Sequence, residues 1–406
     1  MLFDPDRHEA LRAAPWSEAA ARDAIGAIVD DAVRSFAPAT LWPLHPRDAS
    51  GNVSGLPPAA LYDGAAGVIW ALQRLAVQGA VKVPHNFDPV VATLDVDSRR
   101  CIAASGIERA SYFLGESGVL LLQSRRLGAA SAADALFAIV QGNLRNPAHE
   151  ALWGSPGTLV AALHMLEATQ EARWLDVFRK GVAILWEQMH EVRHTTAPDR
   201  PVWAWTQDIY GKQRLHLGAG HGLAGNVYPV IRGARWLADE VVAGFEARAF
   251  DTLDVSALRE AGQVNWEPVF DPVAADLPSR KMVQDCHGAA GIVNRLAGAR
   301  SAELQDLLLQ AGELVWAAGP LSKPPALCHG TDGNGYAFLK LHAMTGEPRW
   351  LDRARAFAMH ALGQSEALAV QHGQRRFTLW TGDIGLAMYL WACISGDASL
   401  PTLDVF

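Results

Sequence analysis

Apolar residues recur along the chain at helical spacing, and two kinds of helical stretch alternate. One kind is amphipathic. In ARWLDVFRKGVAILWEQMHEV, residues Trp174, Leu175, Val177, Phe178, Val182, Leu185 and Trp186 fall near one face. AELQDLLLQAGELVWAAG and RWLDRARAFAMHALG behave likewise. The other kind is apolar nearly all round, as in GVIWAL, GVLLL and GTLVAAL, and predicts a buried helix. Few stretches show period-2 alternation, so a sheet-based core is not expected.

Each all-round apolar stretch is opened by a Gly-x-x-Gly pair. The pairs are Gly64/Gly67, Gly115/Gly118, Gly154/Gly157, Gly222/Gly225, Gly288/Gly291, Gly330/Gly333 and Gly382/Gly385. A recurring unit at this spacing is a repeat architecture. Each repeat holds an amphipathic outer helix and a buried inner helix. The glycines fall where a loop enters the inner helix, and they allow positive φ and close backbone approach there. Seven such hairpins predict an all-α fold, an α/α toroid or double-layered barrel. An open α-solenoid is the alternative. In the toroid the inner-helix N-termini, with their free N–H groups, gather at one mouth. Length alone suggests two or three domains. The repeats predict instead one domain over 1–406, with repeats at 61–395 and an N-terminal helix and loop at 1–60. The stretch WSEAAARDAIGAIVDDAVRSF is read as the outer helix of the first repeat.

Composition narrows the function classes. Half the 406 residues are hydrophobic and 19% are charged, which excludes a disordered chain. The net charge of −8 and the lack of a basic cluster give no nucleic-acid footprint. Four cysteines make no disulfide framework. No signal peptide and no membrane-length apolar run is visible, so a soluble cytoplasmic protein without membrane partners is expected.

Repeats four to six carry extra chemistry. Each has a possible ligand just before its first glycine: Gly220-His221-Gly222, Cys286-His287-Gly288 and Cys328-His329-Gly330. Two thiols at equivalent positions of adjacent repeats face the same mouth of a closed toroid. With an imidazole they form a soft donor set suited to Zn2+, with a fourth position left open. Cys101 and Cys393 lack any such pattern and read as core residues. Asp63, Asp332 and Asp383, beside the glycine pairs, read as turn and cap residues. The inserts 192–215 and 263–285 flank the ligand-bearing repeats and are expected to rim the mouth.

These motifs resemble the lanthionine synthetase C-like family, most specifically in GAGHGLAG, CHGAAG and LCHGTDGNGYAFL. The CHG form is more similar to the eukaryotic-type members than to typical lantibiotic cyclases. The resemblance implies zinc held by Cys286, Cys328 and His329. It implies an acid/base role for His221 and places Glu150 where the cyclases usually have Asp. It matches Lys323 to a glutathione-contacting lysine, and puts another such arginine near Arg375 and Arg376. The family's usual Trp before the fifth-repeat cysteine is Asp285 here, so a carboxylate enters the substrate pocket. His287, on the other side of that cysteine, is read as a structural histidine or one behind the ligands at the substrate side.

The implied reaction is addition of a thiol to dehydroalanine or dehydrobutyrine, forming a thioether. The thiol is glutathione or a cysteine of the substrate peptide, and the partner is a peptide or protein containing dehydroamino acids. Two other classes remain open. One is a non-catalytic zinc- and glutathione-binding scaffold. The other is a metal-free toroid glycosidase or epimerase using Glu150 and Asp285.

Overall fold

The computed structural model describes residues 1–49, 51–52, 54–194, 197–209, 211–270 and 280–406. Two layers of helices alternate along the chain. In order they are α1 (Glu18–Ser35), α2 (Ala65–Val77), α3 (Leu94–Ser105), α4 (Glu116–Leu127), α5 (Ala130–Asn143), α6 (Ser155–Thr169) and α7 (Ala172–Gln188). There follow α8 (Leu223–Arg232), α9 (Asp239–Ser256), α10 (Ala289–Leu296), α11 (Ala302–Ala318), α12 (Thr331–Thr345), α13 (Pro348–His372) and α14 (Asp383–Ser395). The even-numbered helices are the inner ones. Every residue of α10 is buried, as is every residue of α6 from Ser155 to Leu166. The odd-numbered helices bury one face, as their amphipathic pattern requires.

The inner helices pack in sequence from α2 to α14, and α14 returns to α2. The architecture is therefore a closed α/α toroid rather than an open solenoid. Most outer helices pack chiefly on the inner helix that precedes them, as α5 does on α4 and α13 on α12, whereas α3 packs on α4, the inner helix that follows it. Helix α1 obeys the same rule around the closure. It lies against α14, the last inner helix, rather than serving mainly the first repeat.

The glycine pairs do different jobs. The first glycine is the N-cap of each inner helix, and only Gly288 has positive φ, at 88°. The expectation of left-handed backbone thus holds at one of the first glycines alone. The second glycine marks a close approach. A Cβ on Gly67 would stand 2.0 Å from Leu61 O and 3.0 Å from Leu379 Cβ. Leu379 lies six residues before Gly385, as Leu61 lies six before Gly67. The same pattern recurs round the ring, with Gly291 against Ala219 Cβ and Gly333 against Asp285 Cβ, each at 3.0 Å. Each repeat thus seats its own turn and its neighbour's turn on one bare backbone.

Six of the seven residues two before the first glycine are stitched together by backbone hydrogen bonds, an arc that stops short of Leu152 on both sides. Tyr62 N donates to Phe113 O at 2.9 Å, and Trp380 N to Tyr62 O at 3.0 Å. Cys328 N donates to Trp380 O at 3.0 Å, Cys286 N to Cys328 O at 3.1 Å, and Gly220 N to Cys286 O at 3.1 Å. Both candidate ligand cysteines are members of this hoop.

The chain's last residues close the floor. Leu400, Thr402 and Leu403 are buried, and Thr402 O accepts from Tyr112 Oη and from His164 Nε2. Asp404 accepts from Tyr228 Oη at 2.8 Å and from Lys340 Nζ at 2.7 Å. Burial opposes the Asp404 carboxylate, but Lys340 outweighs it and holds its pKa below the ordinary value. Its stabilising effect is present above the unfolded carboxylate pKa and lost as pH falls through the lower folded one. Asp404→Ala is expected to cost about 2 kcal/mol in urea unfolding at neutral pH, since charged hydrogen bonds and an orphaned lysine are involved.

Among the described residues, three antiparallel hairpins interrupt the helices: β1–β2 (His190–His194, Ala197–Ala204), β3–β4 (Gln207–Ile209, Lys212–Arg214) and β5–β6 (Leu258–Glu260, Gln263–Asn265). They fall in or beside the long inserts. Ile209 of β3 does reach the central cavity wall. Residues 271–279 of the second insert lie outside the described residues. No helix among the described residues is long and apolar enough to cross a membrane.

Candidate active site

A cavity of about 890 Å³ opens at the mouth of the toroid. Tyr62, Trp153, His221, Cys286, Cys328 and His329 are among its walls. The hoop explains how Cys286 and Cys328, 42 residues apart in sequence, become neighbours. Their thiols hydrogen-bond to each other. That bond lowers the pKa of Cys286 against the opposing effect of burial, and raises Cys328 well above the ordinary value. Gln284 Nε2 donates to Cys286 Sγ at 2.9 Å, and the Tyr62 hydroxyl bonds to Cys328.

His329 lines the same cavity. Burial first, and then Lys323 and Arg376, lower its pKa to about 4, so the imidazole is neutral and able to donate a lone pair. Among the described residues, no group of three His, Cys, Asp or Glu side chains stands in a metal-holding arrangement. The thiol pair is assembled; His329 shares the cavity without joining it in such a cluster.

His221 and Glu150 come together across 71 residues, with Nδ1 to Oε2 at 2.8 Å. Glu150 is fully buried and also accepts from Leu152 N, at 3.0 Å, and from Trp153 N. It is thus both a turn cap and an imidazole partner. Burial disfavours the His221 cation, but the hydrogen bond and charge of Glu150 offset this and raise its pKa above the ordinary 6.5. The pairing fixes Nδ1 on the carboxylate, leaving Nε2 for the cavity.

The other expected residues are placed differently. Asp285 is buried, and its carboxylate is committed: Arg295 Nη2 reaches Oδ2 at 2.8 Å, and Asn294 Nδ2 reaches Oδ1 at 2.8 Å. It is a charge-balanced wall rather than a free acid. His287 lies beside His221, the rings tilted with centroids 5.7 Å apart, and burial lowers its pKa to about 3. His216 completes a triangle with them, at 6.1 and 6.2 Å. Lys323 Nζ donates to Gln284 Oε1 at 3.3 Å. Arg376 is held by Asp48, and Arg375 by Asp31 at 3.0 Å. Cys393 is in the core as expected, but Cys101 lines the cavity.

Three residues were absent from the sequence reading. Tyr62 occupies the same register as Cys286 and Cys328, and that register was the available signal. Gln284, two residues before Cys286, carried none. Arg7 comes from the segment before the repeats and donates to Gln284 Oε1 at 3.1 Å. Nothing in its local sequence announces this.

The fold and the site define a class: a closed helical toroid with a paired-thiol centre and a carboxylate-oriented histidine at its mouth. A family model described as lanthionine synthetase C-like protein matches residues 56–405. The chain belongs to that family. It is 29% identical over 266 residues to "Glutathione S-transferase LANCL1" of Danio rerio, covering 62% of this chain and 60% of that one. It is 33% identical over 199 residues to "LanC-like protein GCL1" of Arabidopsis thaliana, covering 46% of this chain and 43% of that one. The chain thus spans less than two thirds of these relatives. The solved structure of nisin cyclase shares the fold, with TM-score 0.58 and 15% identity over 85% of this chain and 90% of that one.

Proposed function

We propose that the protein adds a thiol across the double bond of a dehydroalanine or dehydrobutyrine residue, forming a thioether. The observation that carries this reading is the thiol pair beside the Glu150–His221 dyad in one cavity. Cys286, Cys328 and His329 would hold zinc. The donor set fits: two adjacent unoxidised thiols and an imidazole kept neutral by burial. Zinc, when bound, lowers the pKa of an incoming thiol.

The protein's own groups handle the proton. His221 Nε2 takes the thiol proton as sulfur bonds to the β-carbon. The enolate then receives one proton at the α-carbon, and His221 is placed to return it. Glu150 holds the imidazole in the required tautomer. Arg7 and Lys323, both on Gln284 Oε1 behind Cys286, place positive charge near the thiol pair, where the carboxylates of glutathione would be drawn. The name of the zebrafish relative supports glutathione as the thiol source, ahead of a peptide cysteine. Four free thiols agree with a reducing, cytoplasmic setting. Glycosidase chemistry is disfavoured, because Asp285 is tied to Arg295 and Glu150 to His221 and two backbone N–H groups.

Incubation with glutathione and a dehydroalanine peptide tests this. Mass spectrometry is expected to show the peptide gaining one glutathione faster than in buffer, from protein that retains about one equivalent of zinc after dialysis. Zinc retained without accelerated addition would reduce the site to a scaffold.

A further inference from the structure

Gln284 stands between Arg7 and Lys323 on one side and the sulfur of Cys286 on the other. Its Oε1 accepts from Arg7 Nη2 at 3.1 Å and from Lys323 Nζ at 3.3 Å. Its Nε2 donates to Cys286 Sγ at 2.9 Å. A primary amide has one accepting end and one donating end. Two cations on one side admit only the oxygen there, so the NH2 group is committed to the sulfur. The residue has little freedom to do otherwise. It is buried, and its backbone N donates to His287 O at 3.0 Å while His287 N donates to Gln284 O at 3.2 Å.

The two cations arrive together. The N-terminal segment runs along the loop that carries Lys323. Ser322 N donates to Arg7 O at 3.0 Å, and Glu9 N donates to Pro320 O at 3.0 Å. His8 Nδ1 donates to Gly319 O at 2.9 Å. Arg7 and Lys323 are therefore presented to Gln284 by two chain segments bonded side by side, although they are far apart in sequence.

We propose that Gln284 is a positioning residue that couples Arg7 and Lys323 to the sulfur of Cys286. With the cations on Oε1, the amide is locked and the sulfur keeps a fixed N–H donor. An anionic group that draws Arg7 and Lys323 away frees the amide to turn, and the sulfur loses that donor. Carboxylate occupancy at Arg7 and Lys323 is thereby read at the sulfur of Cys286. The inference rests on the thiol-addition reading for its purpose. Its test needs no turnover, so the two fail separately.

The test is a double-mutant cycle read by alkylation of the purified protein with iodoacetamide, with rates assigned by peptide mass spectrometry. Arg7→Leu is expected to change the Cys286 rate roughly three- to tenfold, the range of one net hydrogen bond. In a Gln284→Ala background the same substitution is expected to change it less than about 1.5-fold, since uncoupled sites are additive within a few tenths of a kcal/mol. Lys323→Met, run in both backgrounds, gives a second and independent cycle. Arg7→Lys, which keeps a donor, is expected to restore most of the wild-type rate. Cys393, buried away from the mouth, reports whether each variant keeps its fold. An Arg7 effect of equal size in both backgrounds would mean that the cation acts through space, and would overturn the proposal. So would the absence of any effect from both Arg7→Leu and Lys323→Met in the wild-type background.

Discussion

His221→Asn is expected to lower the rate of thioether formation by about 10²- to 10⁴-fold, the range of a positioned acid/base group, while zinc content stays unchanged. Asn preserves a donor toward Glu150 but cannot accept and return a proton. The pH profile carries a second signature. Glu150 raises the His221 pKa above 6.5. The neutral, proton-accepting form therefore accumulates only above that value, and the acidic, rising limb of wild-type activity belongs there. Glu150→Gln removes the carboxylate charge and is expected to move that limb to lower pH. The stability effect runs the other way with pH. A raised folded pKa makes the dyad fully stabilising below the unfolded value and lost as pH rises through the folded one. A profile unmoved by Glu150→Gln would leave the carboxylate with only its turn-capping role.

Gly291→Ala is expected to cost about 3 kcal/mol or more in stability, or to abolish soluble expression. The added Cβ would stand 1.7 Å from Asp285 O and 3.0 Å from Ala219 Cβ. Backbone on one side and the neighbouring repeat on the other leave no flexible side chain to yield. The control is Gly26→Ala in α1, where a Cβ meets nothing within 4 Å. That change is expected to be neutral or to stabilise by up to about 1 kcal/mol, because alanine suits a helix better. Paired thermal unfolding of the two variants measures the difference. Equal midpoints would show that the ring relaxes around position 291.

The toroid was legible because its periodicity is redundant. Seven glycine pairs and seven apolar runs state one rule repeatedly, and close approach at Gly67, Gly291 and Gly333 is its physical cause. The Cys286–Cys328 pairing was legible for the same reason, as equivalent positions become neighbours in a ring. Contacts from outside the repeats were not. Arg7 and Gln284 are 277 residues apart, and no register relates them. The pairing of Asp285 with Arg295 was also hidden. A carboxylate next to a candidate ligand reads as pocket chemistry until the arginine on the following helix is seen to take both oxygens. Tyr62 was masked by company: Phe113 and Trp380 hold equivalent positions, so an aromatic there reads as packing.

The backbone hoop through Phe113, Tyr62, Trp380, Cys328, Cys286 and Gly220 separates scaffold from chemistry. Its bonds are made by main-chain N–H and C=O groups, so any residue but proline can be mounted at each donating station without losing a bond. The reacting centre is then a matter of address. Sulfur occupies two consecutive stations, aromatic rings the next three, and glycine the one beside His221. A sequence inheriting this hoop can shift, enlarge or erase its chemistry by exchanging occupants at fixed stations, while the glycines that seat the turns stay as they are.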